Sequence, residues 1–251
     1  MSTKSVQRGS IWRQVSDLSD TLINVLLPPV CAGCGKVGAL VCSECKSHVQ
    51  WVREPICFSC GKPGDVLVGL CNNCYRRPLS TRQIRAAALH VNPIRRILHL
   101  MKYEGYFALA DPLAAVMIQA WPRWETLFDI VVPVPLHSER RRQRGYNQAE
   151  LLVKAMRQKT NWDIVPEALS RHKRTAPQVG LTINQRQRNV RGAFSADESI
   201  ASGKKILLVD DVCTTGSTLD SAAQELLEAG AYSVDAYCLT TVSGSYNISH
   251  I

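Results

Sequence analysis

At 251 residues, with 45% hydrophobic and 20% charged side chains, the chain has the profile of a soluble globular protein sized for one full α/β domain and a small appendage. Its formal net charge of +9 suits an anionic ligand: a phosphorylated small molecule, a nucleic acid or an acidic surface. The stretch Leu22-Ile23-Asn24-Val25-Leu26-Leu27 is broken by Asn24 and far short of the ~20 residues a bilayer requires, which excludes membrane insertion. It also lacks the cleavage site of a secretory signal, so the cytoplasm is the expected compartment.

Residues 1–27 are read as an N-terminal amphipathic helix, because Ile11, Trp12, Val15, Leu18 and Leu22 recur at helical spacing. Residues 28–80 hold eight of the ten cysteines, in four Cys-x-x-Cys pairs: Cys31/Cys34, Cys42/Cys45, Cys57/Cys60 and Cys71/Cys74. A two-residue spacer lets two thiolates of one tight turn reach the same tetrahedral ion, and Gly35 and Gly61 stand where such a turn needs relief. Two pairs complete one site, so the arithmetic gives two zinc ions. Sequential pairing groups the first two pairs and the last two, and Pro55 between the halves favours it. Interleaved pairing, first with third and second with fourth, is the alternative. Four protein thiolates leave no open position on the metal, which points to structural zinc. A disulfide framework or a redox pair is the competing reading of the same spacing.

Residues 81–242 alternate strand-like and helix-like stretches, the pattern of a parallel sheet with helices on both faces. Strands are expected at 84–91, 130–135, 205–209 and 233–240, and helices from Pro93, at 106–120, 145–157 and 217–229. Ser170 to Gly192 is polar, basic and aperiodic, which reads as a long mobile loop. Residues 243–251 are expected to be a flexible tail.

The sharpest signal is the run Ile206-Leu207-Leu208-Val209-Asp210-Asp211-Val212-Cys213-Thr214-Thr215-Gly216-Ser217-Thr218. Four apolar residues make a buried strand, two carboxylates emerge where it ends, and a hydroxyl-rich turn with one glycine opens a helix. Backbone amides at such a helix start suit a phosphate, while the carboxylates suit adjacent ribose hydroxyls or a magnesium ion held by that sugar. No Gly-x-x-x-x-Gly-Lys-Ser/Thr is present to support a P-loop. Two basic segments accompany it. Arg140, Arg141, Arg142 and Arg144 precede Gly145 and Asn147 beside a strand end, where guanidinium forks suit a pyrophosphate. Arg171, His172, Lys173, Arg174, Arg186, Arg188 and Arg191 lie in a stretch with no acid, fit to close over an anion. A solvated basic face is the alternative for both. His48, His90, His99, Cys213 and Cys238 have no assignable partner and are read as structural.

The strand-and-turn run resembles the phosphoribosyl pyrophosphate (PRPP) motif of type I phosphoribosyltransferases. That resemblance gives Asp210 and Asp211 to the ribose and the segment Val212, Cys213, Thr214, Thr215, Gly216, Ser217 and Thr218 to the 5′-phosphate. Hypoxanthine/guanine-type members carry an aspartate where this chain has Thr214, which argues against purine salvage of that kind. The ordered set of cysteine pairs, Pro-Val-Pro-Leu at 133–136, Arg-Gly-Tyr-Asn-Gln at 144–148, Arg-Asn-Val-Arg-Gly-Ala-Phe at 188–194 and the Asp-Asp loop resembles the ComF family, also called GntX-like, over residues 20–241. Its members are associated with natural competence or the use of external DNA.

Two functions follow as expectations. In the first, PRPP binds with magnesium, an unidentified nitrogen acceptor takes the phosphoribosyl group, and pyrophosphate leaves; Asp210 and Asp211 orient the ribose and Arg144, with Arg140, Arg141 and Arg174, steadies the leaving group. In the second, the same fold binds single-stranded DNA or nucleotides without catalysis, and the ribbons contact a competence helicase or another DNA-uptake protein. A PRPP sensor that docks a partner is a third.

Overall fold

The structure is a computed structural model that describes residues 28–122, 124, 127–157, 160, 162–173 and 192–243. In chain order its strands are β1 (Ile84–Leu89), β2 (Ile130–Pro133), β3 (Leu169–Arg171), β4 (Phe194–Ala196), β5 (Lys205–Cys213) and β6 (Ser233–Thr241). Its helices are α1 (Ser43–Ser47), α2 (Asn72–Arg76), α3 (Ile94–Tyr103), α4 (Ala110–Gln119), α5 (Ser138–Arg144), α6 (Gln148–Arg157), α7 (Glu198–Ala201) and α8 (Ser217–Glu228).

The main sheet runs β1-β6-β5-β2 with every neighbouring pair parallel. The central strands carry continuous apolar runs, Ile206–Val209 and Ala236–Leu239, that are buried because both faces are covered. On one face Ile206, Leu208, Val234 and Ala236 join Leu219, Ala222 and Leu226 of α8 in a single buried cluster. On the other, α4 and α6 pack against the sheet, and Tyr237 Oη donates to the carbonyls of Met117 (2.7 Å) and Ala120 (3.1 Å). Removing a Leu or Ile side chain of this kind from water contributes roughly 1.5–3 kcal/mol.

Several expected elements are re-drawn by tertiary contacts. The strand read as 205–209 continues to Cys213, since Val212 and Cys213 pair with Thr240 and Thr241 of β6. The acid pair therefore lies within the last part of the strand. The helix read as 145–157 starts at Gln148, and the arginines before it form their own helix, α5, which closes at Gly145 with φ 82°. The stretch read as 106–120 is a 3-10 turn, Phe107–Leu109, followed by α4. The stretch read as one mobile loop has paired stems: β3 and β4 form an antiparallel ribbon with Arg171 opposite Phe194. Residues 174–191, the N-terminal helix expected at 1–27 and the tail beyond 243 lie outside the described residues.

The described residues fall into two compact units divided between His48 and Val49. The second pair of cysteine knuckles belongs with the sheet: the Ile84 amide donates to the Ser59 carbonyl (2.7 Å), and Arg85 Nη1 donates to the Phe58 carbonyl (2.9 Å).

Candidate functional site

The carboxyl ends of β2, β5 and β6 converge on the acid pair, the place where ligands bind in open parallel sheets. Asp210 is half-buried and Asp211 is buried. One Asp210 oxygen accepts from the Asp211 amide at 2.8 Å. Lys102 Nζ, from the last turn of α3, donates to Asp211 Oδ1 at 2.7 Å; both side chains are mostly out of water. Burial and the neighbouring Asp211 charge push the Asp210 carboxyl up to about 7, against the pull of Lys102, the Asp211 amide and Arg171. Two adjacent carboxylates with one ammonium on Asp211 are an arrangement that a polyhydroxyl ligand can satisfy by donating to the acids.

Beyond Cys213 the chain turns through Thr214 and Thr215 to Gly216, with φ 79°, and enters α8. Thr215 and Ser217 are buried, and their hydroxyls bond each other at 2.8 Å. Those two hydroxyls thus brace the turn from inside. An anion at this helix start would meet backbone amides and the positive end of α8, where the Ser217 amide leans on Thr215 Oγ1 at 3.4 Å. The turn is tied down from below, since the Ser80 amide donates to Asp220 Oδ1 at 2.6 Å.

The basic wall comes from α5. Arg144 is half-buried, lies 5.1 Å from the Tyr103 ring centre and donates to Gln148 Oε1 at 2.6 Å. Arg141 instead forms a two-pronged pair with Glu150, at 2.5 and 3.1 Å. Asn147 is buried; its amide donates to the Val134 carbonyl (3.0 Å) and its oxygen accepts from the Ala149 amide (3.1 Å), which fixes the start of α6 to the end of β2. Arg141 and Asn147 are therefore engaged with neighbouring protein groups, and the Arg140 charge reaches Arg171 of β3. Gly145 ends α5, and Arg174 lies outside the described residues.

The cysteines form two tetrads, Cys31/Cys34/Cys42/Cys45 and Cys57/Cys60/Cys71/Cys74, which is the sequential grouping. Four thiolates at ~2.3 Å from one zinc stand about 3.8 Å apart. The sulfur separations are 3.7 Å for Cys31–Cys45, 3.6 Å for Cys34–Cys42 and 3.7 Å for Cys60–Cys71. The backbone repeats in the two halves: the Gly35 amide bonds the Cys31 carbonyl (2.8 Å), as the Gly61 amide bonds that of Cys57 (2.9 Å). Each donor set fits one zinc ion, held by four thiolates and closed to catalysis.

Two family models match the chain: a double zinc ribbon domain over residues 22–75 and a phosphoribosyl transferase domain over residues 149–247. The DNA utilization protein YhgH of Escherichia coli strain K12 is 32% identical over 176 residues, covering 67% of this chain and 76% of that protein. The chain belongs to the ComF family. Competence protein F of Haemophilus influenzae is 28% identical over 84% of this chain and 89% of its own, and competence protein ComFC of Bacillus subtilis is 29% identical over 79% and 83%. Among solved structures, a glutamine PRPP amidotransferase from B. subtilis aligns over 53% of this chain and only 25% of its own, at 20% identity and a TM-score of 0.34, too remote a likeness to carry an argument.

In this ComF-family chain Asp210 and Asp211 stand at the end of β5, the segment Val212–Thr218 carries the chain into α8, and Arg140 and Arg144 lie on α5. The chain also contains two residues in roles that sequence reasoning missed. Lys102 reads as one polar position in an amphipathic helix, with no spacing that links it to Asp211. Arg171 reads as part of a mobile loop; it lies on β3, 5.2 Å from the Phe194 ring centre, where its charge reaches Asp210. Among the described residues no helix is long and apolar enough to cross a membrane.

Proposed function

We propose that this protein binds PRPP, a ribose 5-phosphate carrying a diphosphate at C1, at the β5–α8 turn, and acts within DNA uptake or utilisation in the cytoplasm. The carrying observation is the acid pair at the end of β5 leading within a few residues through Gly216 into the start of α8. In this reading the Thr214–Thr218 amides take the 5-phosphate, Asp210 and Asp211 take the ribose hydroxyls, and Arg140 and Arg144 face the diphosphate. Magnesium travels with the diphosphate as part of the substrate and screens its charge. In the transfer step a nitrogen acceptor forms a bond to C1, the C1–O bond breaks with its electron pair going to the diphosphate, and the nitrogen sheds a proton. The protein's share is positional and electrostatic: it fixes the sugar by two hydroxyls and a phosphate and stabilises the departing charge. The relatives' names, DNA utilization protein and competence protein, support the biological setting.

A second reading, binding of single-stranded DNA without turnover, draws on the net charge of +9 and the exposed Arg142 on α5. Competition separates the two. The first predicts that PRPP with magnesium binds in 150 mM salt and that a short single-stranded oligonucleotide does not displace it. Oligonucleotide binding with no PRPP binding would reverse the order.

A further inference from the structure

The Lys102–Asp211 pair has a consequence for which ligands the site accepts. The ammonium group comes from α3, the carboxylate from β5, and both side chains are largely withdrawn from water, at 19% and 12% exposure. The same turn of α3 is anchored on both sides of Lys102. Tyr146 Oη donates to the Met101 carbonyl, and Arg144 lies over the Tyr103 ring. Three consecutive residues thus touch the acid pair, the segment after α5 and the arginine wall. His90, whose Nδ1 lies 3.0 Å from Thr240 Oγ1, is pushed down to about 4 by burial and by the Lys102 charge, so it is neutral at pH 7 and adds no repulsion to this ammonium.

A sugar whose hydroxyls engage Asp211 competes with Lys102 for that carboxylate. The displaced ammonium then loses its partner at a position where its side chain is only 19% exposed, and an unpaired charge so withdrawn from water is strongly unfavourable. The penalty vanishes when the ligand brings its own anion to that position. We propose that Lys102 is a selectivity residue of the ribose-phosphate site: it rests on Asp211 when no ligand is present and passes to the anionic group at C1 when the site fills. The site thereby rejects ribose 5-phosphates that lack a C1 diphosphate. Selection works through the stranded charge more than through added attraction, which is how a polar site discriminates most sharply. This inference rests on the PRPP reading.

The test compares full-length, zinc-loaded wild type with Lys102→Met and Lys102→Arg for binding of PRPP and of ribose 5-phosphate, each with magnesium, by calorimetry. Circular dichroism and thermal unfolding establish that each variant is folded. Wild type is expected to prefer PRPP by roughly 10²-fold or more. In Lys102→Met, PRPP affinity falls while ribose 5-phosphate affinity holds or rises, so the preference shrinks at least tenfold; Lys102→Arg restores part of it. An equal loss for both ligands in folded Lys102→Met, or an unchanged preference, would overturn the proposal and leave the PRPP reading standing. Wild type that binds neither sugar phosphate would overturn both.

Discussion

The carbonyl oxygen of Ile84 stands 2.2 Å from the point where a β-carbon on Gly61 would lie. Gly61 follows the third cysteine pair, and Ile84 is the first residue of β1, so a cysteine knuckle and the edge of the main sheet meet backbone to backbone. Real β-carbons do not approach a backbone oxygen that closely, and Gly61 has φ 66°, which also disfavours a side chain. Gly61→Ala is therefore expected to destabilise the unit from Val49 onward by about 2 kcal/mol or more, read as a lowered urea midpoint. A neutral outcome would mean that the knuckle does not dock on β1 as described.

Zinc removal should act through the same contact. The second tetrad holds the knuckle whose Ser59 carbonyl takes the Ile84 amide. Cys71→Ser is expected to reduce zinc from two ions to one per chain by elemental analysis and to lower the thermal midpoint of the sheet unit. Full stoichiometry in that variant would contradict the tetrad.

Asp210 gives a pH signature with a definite sign. Its folded-state value of about 7 lies above the ordinary 3.8, so the fold favours its protonated form. Its stabilising contribution is complete below about pH 4 and is lost as pH rises through 7. Asp210→Asn is accordingly expected to be more stable than wild type at pH 8, by on the order of 2 kcal/mol, with the difference closing toward pH 4. Chemical denaturation at several pH values reads it directly. A variant less stable at pH 8 would show that the carboxylate is structural, whereas a gain on removing it marks a group kept for its chemistry.

The arginines of α5 divide by partner. Arg141 is about half exposed and paired with Glu150, so Arg141→Ala should change stability by less than about 1 kcal/mol and leave PRPP affinity within a factor of two. Arg144→Ala should weaken PRPP roughly tenfold or more while sparing ribose 5-phosphate. Equal effects from both substitutions would make the helix a diffuse basic surface.

Gly216 stands at φ 79° with Ile84 Cδ1 3.2 Å and Leu79 Cδ1 3.5 Å from where its β-carbon would be. Gly216→Ala should cost about 1–2 kcal/mol of stability and weaken any phosphate held by the turn, measured as PRPP affinity in the folded variant.

Much of this was legible in the chain itself because the signals are local. The spacing within each Cys-x-x-Cys pair carries the metal geometry, and the four apolar residues before Asp210-Asp211 carry the strand. What escaped was set by contacts distant in sequence. β5 outruns its apolar core because Thr240 and Thr241 extend the ladder, and nothing in residues 210–213 announces that. Lys102 reaches Asp211 across 109 positions, and Arg171 is fixed by pairing with a stem on the far side of residues 174–191. Arg141 and Asn147 looked like anion ligands by composition, yet Glu150 and the Val134 carbonyl claim them.

The most direct test of the central claim is calorimetric titration of zinc-loaded protein with PRPP and magnesium, beside the Asp210→Asn/Asp211→Asn variant. Magnesium-dependent binding in the micromolar range is expected, lost in the variant while it remains folded. Folded wild type that shows no heat of binding at millimolar PRPP, or a variant that binds as well as wild type, would contradict it.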